Sequence, residues 1–209
     1  MVKMGLVSAR WPMSPRDPEN QPWAQEKDQE LMDLKMAVYA AQIERMDRGI
    51  GRVLDKVRQL GQEDHTLVLF LADNGGCHEG GPRGFDNRNN GLPPGGVDSY
   101  MSYGQSWAHL SNTPFRRYKH WVHEGGIATP LIAYWPGVIQ SQGKITHEVG
   151  HIVDIMATCV DVAGAGYPAT HHGQTLTPLA GRSLRPIFEN GRRRGHEALF
   201  WEHEGSRAV

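Results

Sequence analysis

Asp73-Asn74-Gly75-Gly76 sets a carboxylate and a carboxamide side by side where an apolar run, residues 66–72, stops at a glycine pair. Both side chains offer hard oxygen ligands without a histidine or thiolate beside them, a donor set that suits calcium or magnesium better than zinc. The same tetrapeptide is also an ordinary turn sequence. Lys119 follows Arg116 and Arg117; by itself it reads as a surface lysine. His120 and His123 stand three apart with Glu124 next, but they fit neither His-x-x-Glu-His nor His-Glu-x-x-His. In a chain with 11 histidines such neighbours arise by chance, and His171, His172 and His203 read equally as loop histidines. Cys77 abuts the glycine pair but has no basic partner at fixed spacing to activate it. Cys159, inside the apolar stretch 155–163, reads as a small buried hydrophobe. Two cysteines cannot build a disulfide framework, although one bridge between them is compatible with the sequence.

These residues need elements to hold them. The run 66–72 is rich in large aliphatics, lacks polar alternation and ends in glycine, the pattern of a parallel strand covered on both faces. The ends of such strands are where open α/β sheets place their ligand sites. Tyr39, Ile43, Met46, Ile50, Val53 and Val57 recur at three- and four-residue spacing, predicting an amphipathic helix from about 25 to 60 that stops at Gly61. Met36 and Met46 lie on that helix as packing residues. Residues 1–25 are broken by Pro12, Pro15, Pro18 and Pro22 and read as an irregular covering segment. Residues 77–111 are rich in glycine, asparagine and proline and read as one long loop. No strand-turn-helix frame surrounds its glycines, so they do not make a nucleotide-phosphate cradle. Further on, the pattern gives a strand at 131–135, an extended stretch at 144–148, helices at 151–163 and 183–188, a loop at 167–181, and the start of a strand at 198–201.

Composition sets bounds. With 209 residues, 39% of them hydrophobic, the chain holds one sizeable core or a piece of a larger one. A formal net charge of −1 leaves no electrostatic footprint for nucleic acid or an anionic membrane, and Arg192-Arg193-Arg194 reads as a solvated loop end. No stretch has the length of apolar residues that crosses a bilayer, and residues 1–25 lack the apolar centre of a signal peptide. The compartment is left open between periplasmic or secreted and cytoplasmic, as is the oligomeric state.

A family resemblance rests on four ordered segments. Thr66 to Gly76 resembles the sulfatase pattern T-x-x-x-F-x-x-D-N-G-G, and Pro114 to Gly137 resembles P-F-R-x-x-K-x-x-x-x-E-G-G-x-x-x-P-L-I-x-x-W-P-G. The helix ending at residues 43–51 resembles the D-x-x-I-G helix before that strand, and Asp154 to Gly164 resembles D-x-x-x-T-x-x-x-x-A-G. Together they cover roughly residues 36 to 190 and are similar to the arylsulfatase A-like branch of the alkaline phosphatase-like superfamily.

The resemblance implies an α/β fold: part of a mixed, mainly parallel sheet sandwiched by helices, truncated at both ends, with residues 1–209 as one partial domain and 198–209 opening a C-terminal antiparallel region. It implies hydrolysis of a sulfate monoester on a sulfated small molecule or glycan, with no nucleic-acid partner. Asp73 and Asn74 match the family's calcium ligands, magnesium being the lesser alternative, and Asp73 would also take a proton from the nucleophile. Lys119 matches the lysine that contacts a sulfate oxygen. Glu124 is expected to order the turn at Gly125-Gly126, and 77–111 to form the active-site rim or a surface loop.

The resemblance is incomplete. The family's formylglycine arises from Cys/Ser-x-Pro/Ala-x-Arg, which neither cysteine satisfies and which Ser14-Pro15-Arg16 fails by spacing. The paired acidic ligands of the family's first strand and its lysine-histidine pair are absent too. The expectation is therefore a chain with half a metal site, negligible sulfatase activity in isolation and weak calcium binding. A phosphonate or phosphodiester hydrolase of the same superfamily is an alternative, although Asp-Asn at 73 and 74 stands where two-metal phosphatases carry Asp-His. A non-catalytic module that kept the fold is another.

Overall fold

The computed structural model describes residues 1–209. Its α/β elements run α1 (Gln29–Gln59), β1 (Val68–Leu71), α2 (Gln105–Ser111), α3 (Glu124–Ile127), β2 (Leu131–Tyr134), α4 (Val153–Val162), β3 (Thr170–His171), β4 (Gln174–Thr175), α5 (Arg185–Asn190), β5 (Trp201–His203) and β6 (Ser206–Ala208). The strands form three two-stranded sheets: β1 with β2, β3 with β4, and β5 with β6, the last two pairs antiparallel. The chain divides into two compact units, each drawn from separated stretches. The first comprises residues 1–60, 71–131 and 201–208, and the second 61–70, 132–200 and 209.

In the first unit α1 starts at Asp28, whose carboxylate accepts from the Leu31 amide at 3.1 Å. Such an N-cap satisfies a donor that the first turn leaves free. Gly61 follows the helix at φ 65°, a left-handed conformation that glycine adopts at no steric cost. The predicted stripe is present but uneven in cover beyond its first turns, with Ile50 and Val57 half-buried. Met32 is buried and Tyr39 packs on the core, whereas Ile43, Met46 and Val53 are 43%, 48% and 63% exposed. Periodicity located the apolar face, and it is at Met36 and Tyr39 that the face packs on the core. The core gathers Tyr103, Ala108 and Tyr118 with Met36, Tyr39, Trp107 and Trp121 around them. A polar layer lies beside it: Asp17 pairs with Arg117 at 2.6 Å, and Gln105 reaches Asn20 at 3.2 Å. Residues 105–111, expected as loop, are α2, entered through Gly104 at φ 84° with no side-chain cap. Gln105, Ala108 and His109 are its buried residues, a polar face that apolar periodicity could not reveal.

In the second unit the strand expectation needs correcting. Val68 and Leu69 are half-buried, but Phe70 is exposed, and on β2 Ile132 is 60% exposed. A sheet of two strands has no neighbouring layer to cover both faces, so the apolar run is not enclosed. Residues 144–148 form no strand. Cys159 is exposed, not core, because α4 turns Asp154 and Thr158 inward, one helical turn apart, and both are fully buried. The Asp154 carboxylate accepts from the His151 amide (2.9 Å), the Arg182 amide (2.7 Å), the Arg193 guanidinium (2.6 Å) and the His196 ring (2.7 Å). Thr158 donates to the Asp154 carbonyl at 2.7 Å, and its hydroxyl accepts from the Leu184 amide at 2.9 Å. Burial alone would raise the Asp154 carboxyl, but the Arg182 amide, then Arg193, His196 and the His151 amide outweigh it and hold it below the usual carboxylate range. The D-x-x-x-T spacing thus docks α4 on the chain around Leu184 and α5.

Candidate active site

The two glycine pairs meet. The Gly75 amide donates to the Gly126 carbonyl at 3.0 Å, and a Cβ on Gly75 would fall on the Gly125 carbonyl. A Cβ on Gly125 would strike the carbonyls of Arg116 and Arg117, and one on Gly126 those of Trp121 and Tyr118. None of these three has positive φ, so they are glycines because backbone packs on backbone. Asn112 braces the junction: its Oδ1 accepts from the Gly76 amide at 3.0 Å and its Nδ2 donates to the Arg117 carbonyl at 3.0 Å. The Lys119 amide donates to the Gly76 carbonyl at 3.1 Å, which joins residues 73–76 to residues 116–119 by main chain.

Asp73 lies just past β1, exposed, and no hydrogen bond or ion pair engages its carboxylate. Asn74 is half-buried and donates through Nδ2 to the Gly75 carbonyl at 2.8 Å, which leaves Oδ1 unengaged. Two unengaged hard oxygens on consecutive residues fit part of a calcium shell, which takes six to eight. The Lys119 ammonium lies 2.7 Å from Glu79 Oε1, with both side chains about two-fifths exposed. Hydrogen bonding to Glu79, its charge, and more weakly those of Cys77 and Asp73, raise the Lys119 ammonium above the ordinary range. The Cys77 thiol donates to the other Glu79 oxygen. Hydrogen bonds from Cys77 and then Lys119 bring Glu79 down to about 2. Burial first, and Glu79 second, push the Cys77 thiol up, so Cys77 is the reverse of an activated nucleophile.

Around these groups His78 stacks on Tyr118 with ring centres 4.7 Å apart, and burial lowers its imidazole. Arg117 and His120, on either side of Tyr118-Lys119, have φ of 68° and 84°, left-handed values that non-glycine residues hold only where the surroundings over-determine them. Arg117 is fixed by Asp17 and by the Trp121 ring, 4.4 Å from its guanidinium carbon. Glu124 is exposed and its side chain makes no hydrogen bond; the Gly125 amide is held instead by the Arg116 carbonyl at 2.8 Å. His123 does not join His120 in a metal cluster. His120 meets His203 and Glu204 instead, and these three can coordinate a metal. Glu79, Asn112 and His203 were not legible as site residues. Glu79 and Asn112 sit near the motifs without a spacing that distinguishes them, and His203 is distant in sequence.

The sulfatase family model matches residues 8–165. The chain belongs to the sulfatase family. The match begins inside the segment read as an irregular cover, N-terminal to the first of the four motifs. An uncharacterised sulfatase of Schizosaccharomyces pombe is 31% identical over 88% of this chain and 35% of its own length. An arylsulfatase of Klebsiella aerogenes is 33% identical over 73% of this chain and 34% of its own. The human N-acetylgalactosamine-6-sulfatase is 31% identical over 72% and 25% respectively. The chain therefore spans about a third or less of the length of these relatives. No helix is long and apolar enough to cross a membrane.

Proposed function

We propose that this chain supplies one side of a sulfate-monoester hydrolase site, with Lys119 on the ester oxygens and Asp73 and Asn74 toward a calcium ion. The observation that carries the reading is the main-chain splice from Gly76 to Lys119, which ties the lysine to the Asp73-Asn74 turn and brings its ammonium within electrostatic reach of the Asp73 carboxylate. Calcium, when bound there, would supply positive charge to the sulfate oxygens. Lys119 would neutralise the charge that grows on the ester as the sulfur–oxygen bond breaks. Its pairing with Glu79 does not oppose this, since an ion pair so exposed is worth about 0–1 kcal/mol and can be exchanged for a sulfate oxygen. Asp73 is free to accept a proton from a nucleophile. The nucleophile, a formylglycine in this reading, would come from polypeptide outside these 209 residues. The solvated apolar face of α1, at Ile43, Met46 and Val53, is consistent with further polypeptide packing there.

The test is turnover of an aryl sulfate by the purified chain with calcium. Negligible hydrolysis with weak calcium binding is expected, and Asp73→Asn should abolish that binding. Turnover that Lys119→Ala abolishes would overturn the partial-site reading, and calcium binding indifferent to Asp73→Asn would overturn the metal assignment. On a completed enzyme, faster hydrolysis of phosphate diesters or phosphonates than of sulfate esters would favour the other superfamily activity.

A further inference from the structure

His120, His203 and Glu204 converge beside Lys119 although 83 residues separate the two histidines. His203 Nε2 lies 3.2 Å from His120 Nδ1, and one ligand atom from each of the three residues falls within 4.8 Å of the others. Two nitrogens each about 2.05 Å from a tetrahedral zinc ion are about 3.3 Å apart, so the imidazole pair already spans one edge of such a shell. Glu204 Oε2 is 3.6 Å from His120 Nε2, and its side chain is 69% exposed, free to swing to the Nδ1 side of the ring. The frame behind them is local. His203 ends β5, Glu204 and Gly205 form the hairpin turn at φ 49° and 83°, and β6 pairs back with His203 opposite Ser206. The two histidines share one hydrogen bond, in which one ring donates and the other accepts.

We propose that His120, His203 and Glu204 form a transition-metal site, with zinc as its preferred occupant, that clasps the β5–β6 hairpin to the Lys119 loop. Two imidazoles and a carboxylate select a borderline dication over calcium. Three protein ligands leave a fourth position for water, the open arrangement of exchangeable zinc. The site is distinct from the pair at Asp73 and Asn74 in both donors and metal, so either can fail without the other.

The experiment is calorimetric titration of zinc into the metal-stripped chain with calcium in excess, together with amide exchange of residues 201–208. One zinc per chain is expected, with slower exchange across the hairpin when it binds. His203→Ala and Glu204→Gln should each weaken binding at least tenfold and remove the protection, while Asp73→Asn and the adjacent pair His171→Ala/His172→Ala should leave both unchanged. Absence of zinc binding, binding unchanged in His203→Ala, or loss only in the His171/His172 variant would overturn the assignment.

Discussion

Asp154→Ala tests the physical account of the D-x-x-x-T motif. The wild-type carboxylate is fully buried and its partner Arg193 is 2% exposed. Truncation leaves a buried guanidinium without its counter-charge, holding only the Arg182, Ser183 and Val149 carbonyls, and frees the Arg182 and His151 amides, bonded at 2.7 and 2.9 Å. Removing one partner of a buried ion pair costs about 3–5 kcal/mol, and each stranded amide adds about 1–3 kcal/mol where water does not reach it. Even the lower figure is a large share of the roughly 5–15 kcal/mol that a domain has. The assay is native-state hydrogen exchange at the Arg182 amide, which should speed up by about two to four orders of magnitude, with the urea midpoint falling in step. Asp154→Leu combined with Arg193→Met removes both charges, so it should cost less than Asp154→Ala alone. The carboxyl lies below its unfolded value, so its stabilisation is complete above about pH 3.9 and disappears as pH falls through the lower folded value. An unchanged Arg182 amide in Asp154→Ala, or a double variant as unstable as the summed singles, would refute the account.

Gly75→Ala should cost several kcal/mol or prevent folding, because the new methyl meets backbone at Gly125; a urea midpoint within experimental error of wild type would contradict it. Asn112→Ala removes the brace to Gly76 and Arg117 and should cost about 1–3 kcal/mol, read from the same midpoint. Glu79 is held at about 2, against an ordinary value of 4.5, so its contribution is complete above the ordinary value and is lost on acidification toward the lower one. Carboxylate titration followed by NMR should show that low midpoint, rising in Lys119→Met. Since Glu79 helps to raise the Cys77 thiol, Glu79→Gln should make Cys77 alkylate faster at mildly alkaline pH, and an unchanged rate would count against the contact.

The order of the motifs and the presence of α1, β1, β2 and α4 were legible in residues 36–163, because period and turn residues are local properties of a chain. The family followed from Asp73-Asn74-Gly75-Gly76 and from the segment 114–137, which need no fold to be recognised. Burial was less legible. The apolar stripe of α1 and the run of β1 imply cover, yet cover depends on which other elements exist, and Ile43, Val53 and Phe70 remain exposed. Cys159 was misplaced for the related reason that apolar neighbours do not reveal which way a helix turns. Asp154 and Thr158 take the buried face, since four hydrogen bonds to the carboxylate outweigh its desolvation.

Side-chain chemistry and spacing are written along the chain, and they were enough to name the family and to single out Asp73, Asn74 and Lys119 as candidates. Three further facts came from the folded molecule: why the glycine pairs are glycines, that Lys119 pairs with Glu79, and that His120 faces His203 and not His123. Those are contacts between segments, set by main-chain hydrogen bonds and by the volume a Cβ would occupy, and no local pattern records them.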